Sequence, residues 1–63
     1  MKKIFKYRVD DMKYHEFHAG DECEILGFTY QDFSPVVWTL HISDGNIVGV
    51  NPSEIEFVRE EEE

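Results

Sequence analysis

The strongest pattern along the chain predicts a β-hairpin between residues 36 and 50. Two runs rich in β-branched and aromatic residues, 36–42 and 47–50, flank a Ser-Asp-Gly-Asn segment. Asp-Gly between two apolar runs favours a tight turn, because Gly45 can adopt a positive φ without steric cost. We therefore expect two paired strands with residues 43–46 at the turn.

The first run of this hairpin has two alternating faces. They are Trp38, Leu40 and Ile42 on one side and Val37, Thr39 and His41 on the other. Successive side chains of a strand point to opposite faces of the sheet. The first trio is the more apolar, so Trp38 is predicted to lie on the core side.

The N-terminal segment also alternates with a period of two. Phe5, Tyr7 and Val9 share one side of residues 4–9, which predicts a half-buried strand. The following segment, 10–18, has mixed polarity and no sustained period. It predicts a long irregular loop, with three apolar anchors at Met12, Tyr14 and Phe17.

A further strand is predicted over residues 22–30. Gly27 lies inside it, and a glycine within a strand often marks a β-bulge. A bend there would turn Leu26 and Phe28 onto the core face. The next segment, 31–35, contains a proline and is predicted to be a loop.

The last part of the sequence predicts a tight turn, a short strand and a charged tail. Residues 51–54 predict a tight turn or a 3₁₀ turn, and 55–58 predict a short final strand. Four consecutive glutamates repel one another, so 60–63 is predicted to be a disordered acidic tail. Five short strands without a convincing helix indicate one all-β domain, 1–59, with the architecture of a small barrel or an orthogonal sandwich.

The charge of the chain limits the classes of macromolecule that it is expected to bind. The net charge is −8, and residues 15–63 hold twelve acidic residues against Arg59 alone. Such a surface repels phosphate backbones and suits basic partners, which disfavours general nucleic-acid binding. An alternative is a separate nucleic-acid patch on the basic first strand, formed by Lys2, Lys3, Lys6 and Arg8.

Candidate chemistry in the sequence is sparse. His15, His18 and Cys23 are suitable zinc ligands, but a fourth ligand is missing and their spacing matches no structural zinc module. Cysteine and histidine can also form a nucleophile and its base, yet no orienting third group is evident. We therefore expect no enzyme activity, metal or cofactor. The chain shows neither a signal-peptide pattern nor an apolar run of membrane-spanning length, which predicts a cytoplasmic protein without membrane association.

Three segments resemble motifs of the Src-homology-3 (SH3) family, in the same order. Residues 3–7, Lys-Ile-Phe-Lys-Tyr, are similar to the family's Ala-Leu-Tyr-Asp-Tyr opening. Residues 17–26, Phe-His-Ala-Gly-Asp-Glu-Cys-Glu-Ile-Leu, resemble its Phe-x-x-Gly-Asp turn and second strand. Residues 49–55, Gly-Val-Asn-Pro-Ser-Glu-Ile, are similar to its Gly-x-x-Pro-Ser-x-Tyr close. The resemblance covers residues 3–58 and implies a five-stranded SH3-like barrel.

The resemblance also implies a ligand and a site. The family binds proline-rich peptides of polyproline-II conformation on an aromatic groove flanked by acidic residues. By position, the groove comprises Phe5, Tyr7, Pro52 and Ile55, and the acidic wall comprises Asp10, Asp11 and Glu16. The family's ligand-facing tryptophan falls at Val37, and a one-residue shift of the alignment would place it at Trp38, so both belong to the predicted site.

Two functions are therefore expected from the sequence. The first is a small protein interaction module that holds a basic or proline-rich protein or peptide in an SH3-like groove or on an acidic face. The second is an acidic inhibitor, of the kind that phages and mobile elements encode, which occupies a basic nucleic-acid-binding surface of another protein. Their salt dependence separates them, because charge-driven binding weakens as ionic strength rises.

Overall fold

Five antiparallel strands and a 3₁₀ turn account for most of residues 2–62, the part of the chain that the computed structural model describes. The elements are β1 (Lys2–Tyr7), β2 (Glu22–Gln31), β3 (Ser34–His41), β4 (Ile47–Val50), the 3₁₀ turn (Pro52–Glu54) and β5 (Ile55–Glu61). They form a single sheet in the order β4-β3-β2-β1-β5. The predicted all-β class and five strands are confirmed.

The sheet is open and not closed into a barrel. β4 and β5 are its two edges, and β1 pairs with both β2 and β5. The barrel closure that the sequence suggested is therefore absent from residues 2–62. The five-stranded antiparallel arrangement is consistent with an SH3-like fold.

Two irregularities bend the strands. The register between β2 and β3 shifts between Ile25 and Gly27, which leaves Leu26 as the extra residue. A second shift between β1 and β5 leaves Val58 without a direct partner. The bulge predicted at Gly27 is confirmed. Phe28 lies on the core face of the sheet, opposite Val37, as predicted, but Phe28 and Leu26 are both exposed.

The core lies under the centre of the sheet and is closed by the long loop between β1 and β2. It contains Tyr7, Phe17, Cys23, Val37, Val48 and Val50. The rings of Tyr7 and Phe17 stack with their centroids 4.1 Å apart. Of the three predicted loop anchors, only Phe17 is buried, whereas Met12 and Tyr14 are exposed.

The core face of β3 is the reverse of the predicted one. Val37, Thr39 and His41 are buried, whereas Trp38 is only partly buried and Ile42 is exposed. The two polar members of the buried trio have hydrogen-bond partners, which removes most of the cost of burying them. Trp38 consequently lies on the outer face.

The predicted turns are largely confirmed. Gly45 has φ of 75° and its N–H donates to the carbonyl of His41, which closes the β3–β4 turn. The 3₁₀ turn is fixed by a capping box: the Asn51 side chain accepts from the Ser53 N–H, while Glu54 accepts from the Asn51 N–H. The loop predicted over 31–35 is shorter than expected, because β2 and β3 continue to a two-residue turn at 32–33.

The last strand extends into the predicted tail. Glu60 pairs with Lys3 and Glu61 with Lys2, so disorder is the wrong prediction for these two glutamates. Opposite charges across neighbouring strands offset the repulsion among the glutamates themselves. Glu63 and Met1 lie outside the described residues.

The described part of the chain contains no helix with the length and apolar character that crossing a membrane requires.

Candidate functional site

A cleft of about 670 Å³ opens beside β3 and β4, and side chains from both faces of these strands line it. It lies between the long β1–β2 loop, the end of the β2–β3 hairpin, and β4 with the turn that follows it. Its lining consists of Asp11, Lys13, Tyr14, Glu16, Phe17, Gln31, Ser34, Pro35, Val36, Trp38, Ile47, Val48, Gly49, Val50, Asn51 and Glu54.

The indole of Trp38 forms part of the cleft wall and is held on both sides. Its Nε1–H donates to the hydroxyl of Thr29 on β2, at 2.7 Å. On β4 the ring lies against Gly49, where a Cβ would stand only 2.9 Å from Trp38 Cζ3. The indole therefore needs a glycine at position 49 to occupy this position.

The long loop is organised around the carboxylate of Asp11. This carboxylate accepts hydrogen bonds from the backbone N–H groups of Lys13, Tyr14 and Glu16, each at 3.1 Å. The N–H donors of Tyr14 and Glu16 stabilise the charged form and lower the pKa of Asp11. Asp11 thus shapes the loop that carries Tyr14 and Glu16 into the cleft, and it keeps its negative charge there.

Three of the four charged residues of the lining are acidic, and we call them the acidic rim. Asp11 and Glu16 lie on the long loop and Glu54 lies on the 3₁₀ turn, with Lys13 as the one basic residue of the lining. Glu54 also holds the capping box. The cleft thus combines an apolar wall, which includes Trp38, with a largely acidic rim, a combination that suits an apolar ligand with a flanking positive charge.

The base of the long loop is tied to the β3–β4 turn by a buried histidine. His41 is 5% exposed, and its Nδ1 lies 2.7 Å from an Asp44 oxygen while its Nε2 lies 3.1 Å from an Asp21 oxygen. Both ring nitrogens donate only in the imidazolium form. Burial of the ring opposes this charge, but the hydrogen bonds to Asp44 and Asp21 outweigh burial and raise the pKa of His41.

The structure brings three of the predicted site residues together, namely Asp11, Glu16 and Trp38. The other six lie outside the cleft lining and are Phe5, Tyr7, Asp10, Val37, Pro52 and Ile55.

Burial excludes two of these six residues from a ligand groove. Tyr7 and Val37 have at most 1% of their surface exposed, so neither side chain can contact a ligand without a rearrangement of the core. The hydroxyl of Tyr7 is bonded to Thr39 at 2.7 Å inside the core. Their predicted role in the groove is therefore wrong.

The remaining four predicted site residues lie elsewhere in the structure, outside the cleft lining. Phe5 packs edge-to-face on Phe57, with ring centroids 5.5 Å apart, and Ile55 packs against the core. Asp10 accepts a hydrogen bond from the Ala19 N–H, and Pro52 is the exposed first residue of the 3₁₀ turn. Their predicted contact with a ligand stays a prediction.

Sequence reasoning missed most of the apolar cleft wall. Val36 and Ile47 were assigned only to the hairpin, and Gly49 to the hairpin and the family's closing motif. One usable signal was present, since a glycine in a short strand beside a strand with tryptophan often marks a close approach by a neighbouring group. That signal would have placed Trp38 over Gly49 on the outer face.

The candidate zinc ligands do not converge. Cys23 is buried in the core, where burial raises the pKa of its thiol, and His15 and His18 are exposed. Among the residues that the structure describes, no group of three histidine, cysteine or carboxylate side chains is placed to hold a metal ion.

Comparison with known proteins assigns no family. No family model matches the chain, and neither a curated protein nor a solved structure matches it.

Proposed function

We propose that the chain is an SH3-like, non-catalytic protein interaction module that binds a basic or proline-rich peptide in the cleft beside Trp38. The observation that carries the proposal is the outward-facing indole, held by Thr29 and Gly49 in a concave site. A fixed aromatic ring offers a large apolar contact at little cost in conformational entropy. The acidic rim, with Glu16 exposed on it, favours ligands with arginine or lysine beside the apolar contact.

An amide-correlation NMR titration with a pool of proline-rich, arginine-flanked peptides tests this proposal. Binding is expected to produce saturable shifts of the Trp38 indole N–H and of the amides of Tyr14, Glu16 and Gly49. Replacing Glu16 with glutamine should weaken binding at low salt and have little effect at high salt, since salt screens exposed charges. The absence of chemical-shift changes with every peptide of the pool, or shifts confined to residues outside the cleft, would contradict the proposal.

Two glycines that flank Trp38 provide matched variants. Gly49 on β4 and Gly27 on β2 both pair with Trp38 across the sheet. A Cβ at 49 would clash with the indole, whereas nothing lies within 4 Å of a Cβ at 27. Gly49→Ala should therefore displace the ring and weaken peptide binding roughly tenfold. Gly27→Ala should bind as the wild type does, and equal loss in both variants would speak against a specific role of the indole.

The second candidate is an acidic inhibitor that covers a basic nucleic-acid-binding surface. Two of the six basic residues, Lys6 and Arg59, are already paired within the sheet, to Glu56 and to Glu22 and Glu61. The net charge of −8 is therefore expressed largely as unpaired carboxylates. This function predicts binding to a basic protein that weakens steeply with salt and tolerates Gly49→Ala.

A further inference from the structure

The β2–β3 hairpin carries three exposed aromatic side chains that do not line the cleft. We name residues 28–35 the aromatic arm. Phe28, Tyr30 and Phe33 are 69%, 78% and 102% exposed. Phe28 lies directly opposite Val37 across the strand pair, and Tyr30 lies opposite Pro35. Residues directly opposite in an antiparallel pair share a face, so Phe28 and Tyr30 continue the core face of the sheet beyond the part that the protein covers.

The backbone at the tip of the arm adopts a conformation that is unfavourable for the two residues that lie there. Asp32 and Phe33 form a two-residue turn with φ of 49° and 64°, the geometry that Asn-Gly normally provides. A bulky residue at positive φ is strained, and Phe33 has no packing contact to compensate, since it is fully exposed. Strain that is retained at an exposed residue points to a role outside the isolated chain.

Charge on the arm is low in a molecule that is otherwise strongly charged. Between residues 25 and 38 Asp32 is the only charged residue, whereas the other thirteen acidic and all six basic residues lie elsewhere. An arm without cations has no complement for nucleic acid or for an acidic partner. Asp32 is its single carboxylate and gives a basic partner little attraction, so its best complement is another uncharged aromatic surface.

We propose that the aromatic arm pairs with the arm of a second copy of this chain. An antiparallel pair, tip to base, buries Phe28, Tyr30 and Phe33 of both copies and keeps the two acidic bodies at opposite ends. Given these exposures, and about 200 Å² for a buried aromatic side chain, each copy contributes on the order of 500 Å². A total of about 1,000 Å² is at the lower limit of specific interfaces and predicts a weak dimer that forms only at high protein concentration.

This pairing leaves the Trp38 wall of the cleft open. Thr29 and Val36 share the opposite face of the same strands with Trp38, since their neighbours Phe28 and Val37 share the aromatic face. Gln31, Ser34 and Pro35 belong both to the arm and to the cleft lining, so the pairing meets one end of each cleft and leaves its Trp38 wall uncovered. None of Phe28, Tyr30 and Phe33 lines the cleft, so the aromatic contacts of the dimer are separate from ligand binding, and the dimer would give a divalent ligand an avidity advantage.

Sedimentation velocity across a concentration series tests the pairing. The apparent mass should rise from 7.5 kDa towards twice that value as the protein approaches about 1 mM. The dimer should strengthen with added salt, because salt screens the repulsion between two bodies of net charge −8. A mass of one chain at every concentration would overturn the proposal, and so would concentration-dependent NMR shifts located at the Trp38 indole instead of the arm.

Three variants separate pairing from folding. Phe28→Ser should weaken the dimer about tenfold while peptide shifts at the Trp38 indole stay unchanged. Phe33→Gly should weaken the dimer and raise the urea midpoint, because glycine adopts the positive φ without strain. Met12→Ser changes another exposed apolar residue, on the long loop, and should leave the dimer intact. A lower midpoint for Phe33→Gly, or equal dimer loss in Met12→Ser, would overturn the assignment.

Discussion

The buried ion pairs of His41 predict an unusual pH dependence of folding stability. The imidazolium donates to Asp44 and Asp21, and its pKa is raised above the ordinary value of 6.5. The folded state therefore holds a proton that the unfolded state releases as pH rises above about 6.5. The stabilisation from His41 is fully present below pH 6.5 and is lost as pH rises through the folded pKa. In the folded state the pKa values of Asp21 and Asp44 are lowered below the ordinary value of 3.8. The stabilisation from these two carboxylates is therefore present above pH 3.8 and is lost as pH falls through the folded pKa values.

The size of the effect follows from the contacts. A hydrogen bond to a charged group contributes roughly 1.5–3 kcal/mol, but the Asp21 and Asp44 side chains are 37% and 45% exposed, which weakens each bond. We therefore expect His41→Gln, which keeps one N–H donor and cannot be charged, to lower the free energy of unfolding by about 2 kcal/mol near pH 6. Above pH 6.5 the advantage of the wild type should shrink by up to about 1.4 kcal/mol per pH unit.

Urea denaturation followed by the fluorescence of Trp38, the only tryptophan, measures both quantities. The two proteins are compared at pH values from about 5 to about 9, bracketing the titration of histidine. Taking the difference between wild type and His41→Gln cancels the other groups that titrate in this range. A difference that is constant across the whole range would refute the reasoning, because it would mean that His41 does not bind its proton more tightly in the folded state.

Three further changes test the core and the turns by the same urea assay. Thr39→Val removes the acceptor of the buried Tyr7 hydroxyl and should lower the free energy of unfolding by about 1–3 kcal/mol. Thr39→Ser keeps the hydroxyl and should lower the free energy of unfolding clearly less. Equal losses in the two variants would contradict the hydrogen-bond argument. Phe17→Ala removes the ring stacked on Tyr7 and should cost about 3 kcal/mol, whereas a loss below about 1 kcal/mol would mean that the long loop does not close the core. Gly45→Val should cost about 1 kcal/mol or more, because φ is 75° there, and an unchanged midpoint would count against that geometry.

Local patterns predicted local structure well. The turn at Gly45 and the bulge beside Gly27 each depend on a few adjacent residues, and both are present. The strand alternation also located all five strands, with ends displaced by a few residues. The glutamate tail was mispredicted because its like charges were considered alone, whereas in the sheet Glu60 and Glu61 lie opposite lysines from the other end of the chain.

Faces and sites depend on distant residues and were predicted less well. The Asp11 carboxylate was expected to face a ligand, but it also fixes the conformation of its own loop through three backbone hydrogen bonds. Phe28 was expected on the core face because of the bend at Gly27; it lies on that face but is exposed, because the strand extends past the region that the loop covers. Neither outcome follows from periodicity, since both depend on where the β1–β2 loop folds back over the sheet.

The reversal of β3 explains why the molecule has a cleft with an aromatic wall. Apolar side chains occur on both faces of this strand, so the burial of either face would remove apolar surface from water. The face with Thr39 and His41 is the buried one because its polar groups find hydrogen-bond partners there. Tyr7 donates to Thr39, and Thr39 donates to the Val48 carbonyl. Asp44 and Asp21 bind the two ring nitrogens of His41. With those groups satisfied, the cost of burying polar atoms is largely offset. Trp38 is thereby left on the outer face, where Gly49 makes room for its ring. The polar residues that looked least suited to a core are thus the ones that place the tryptophan in the cleft.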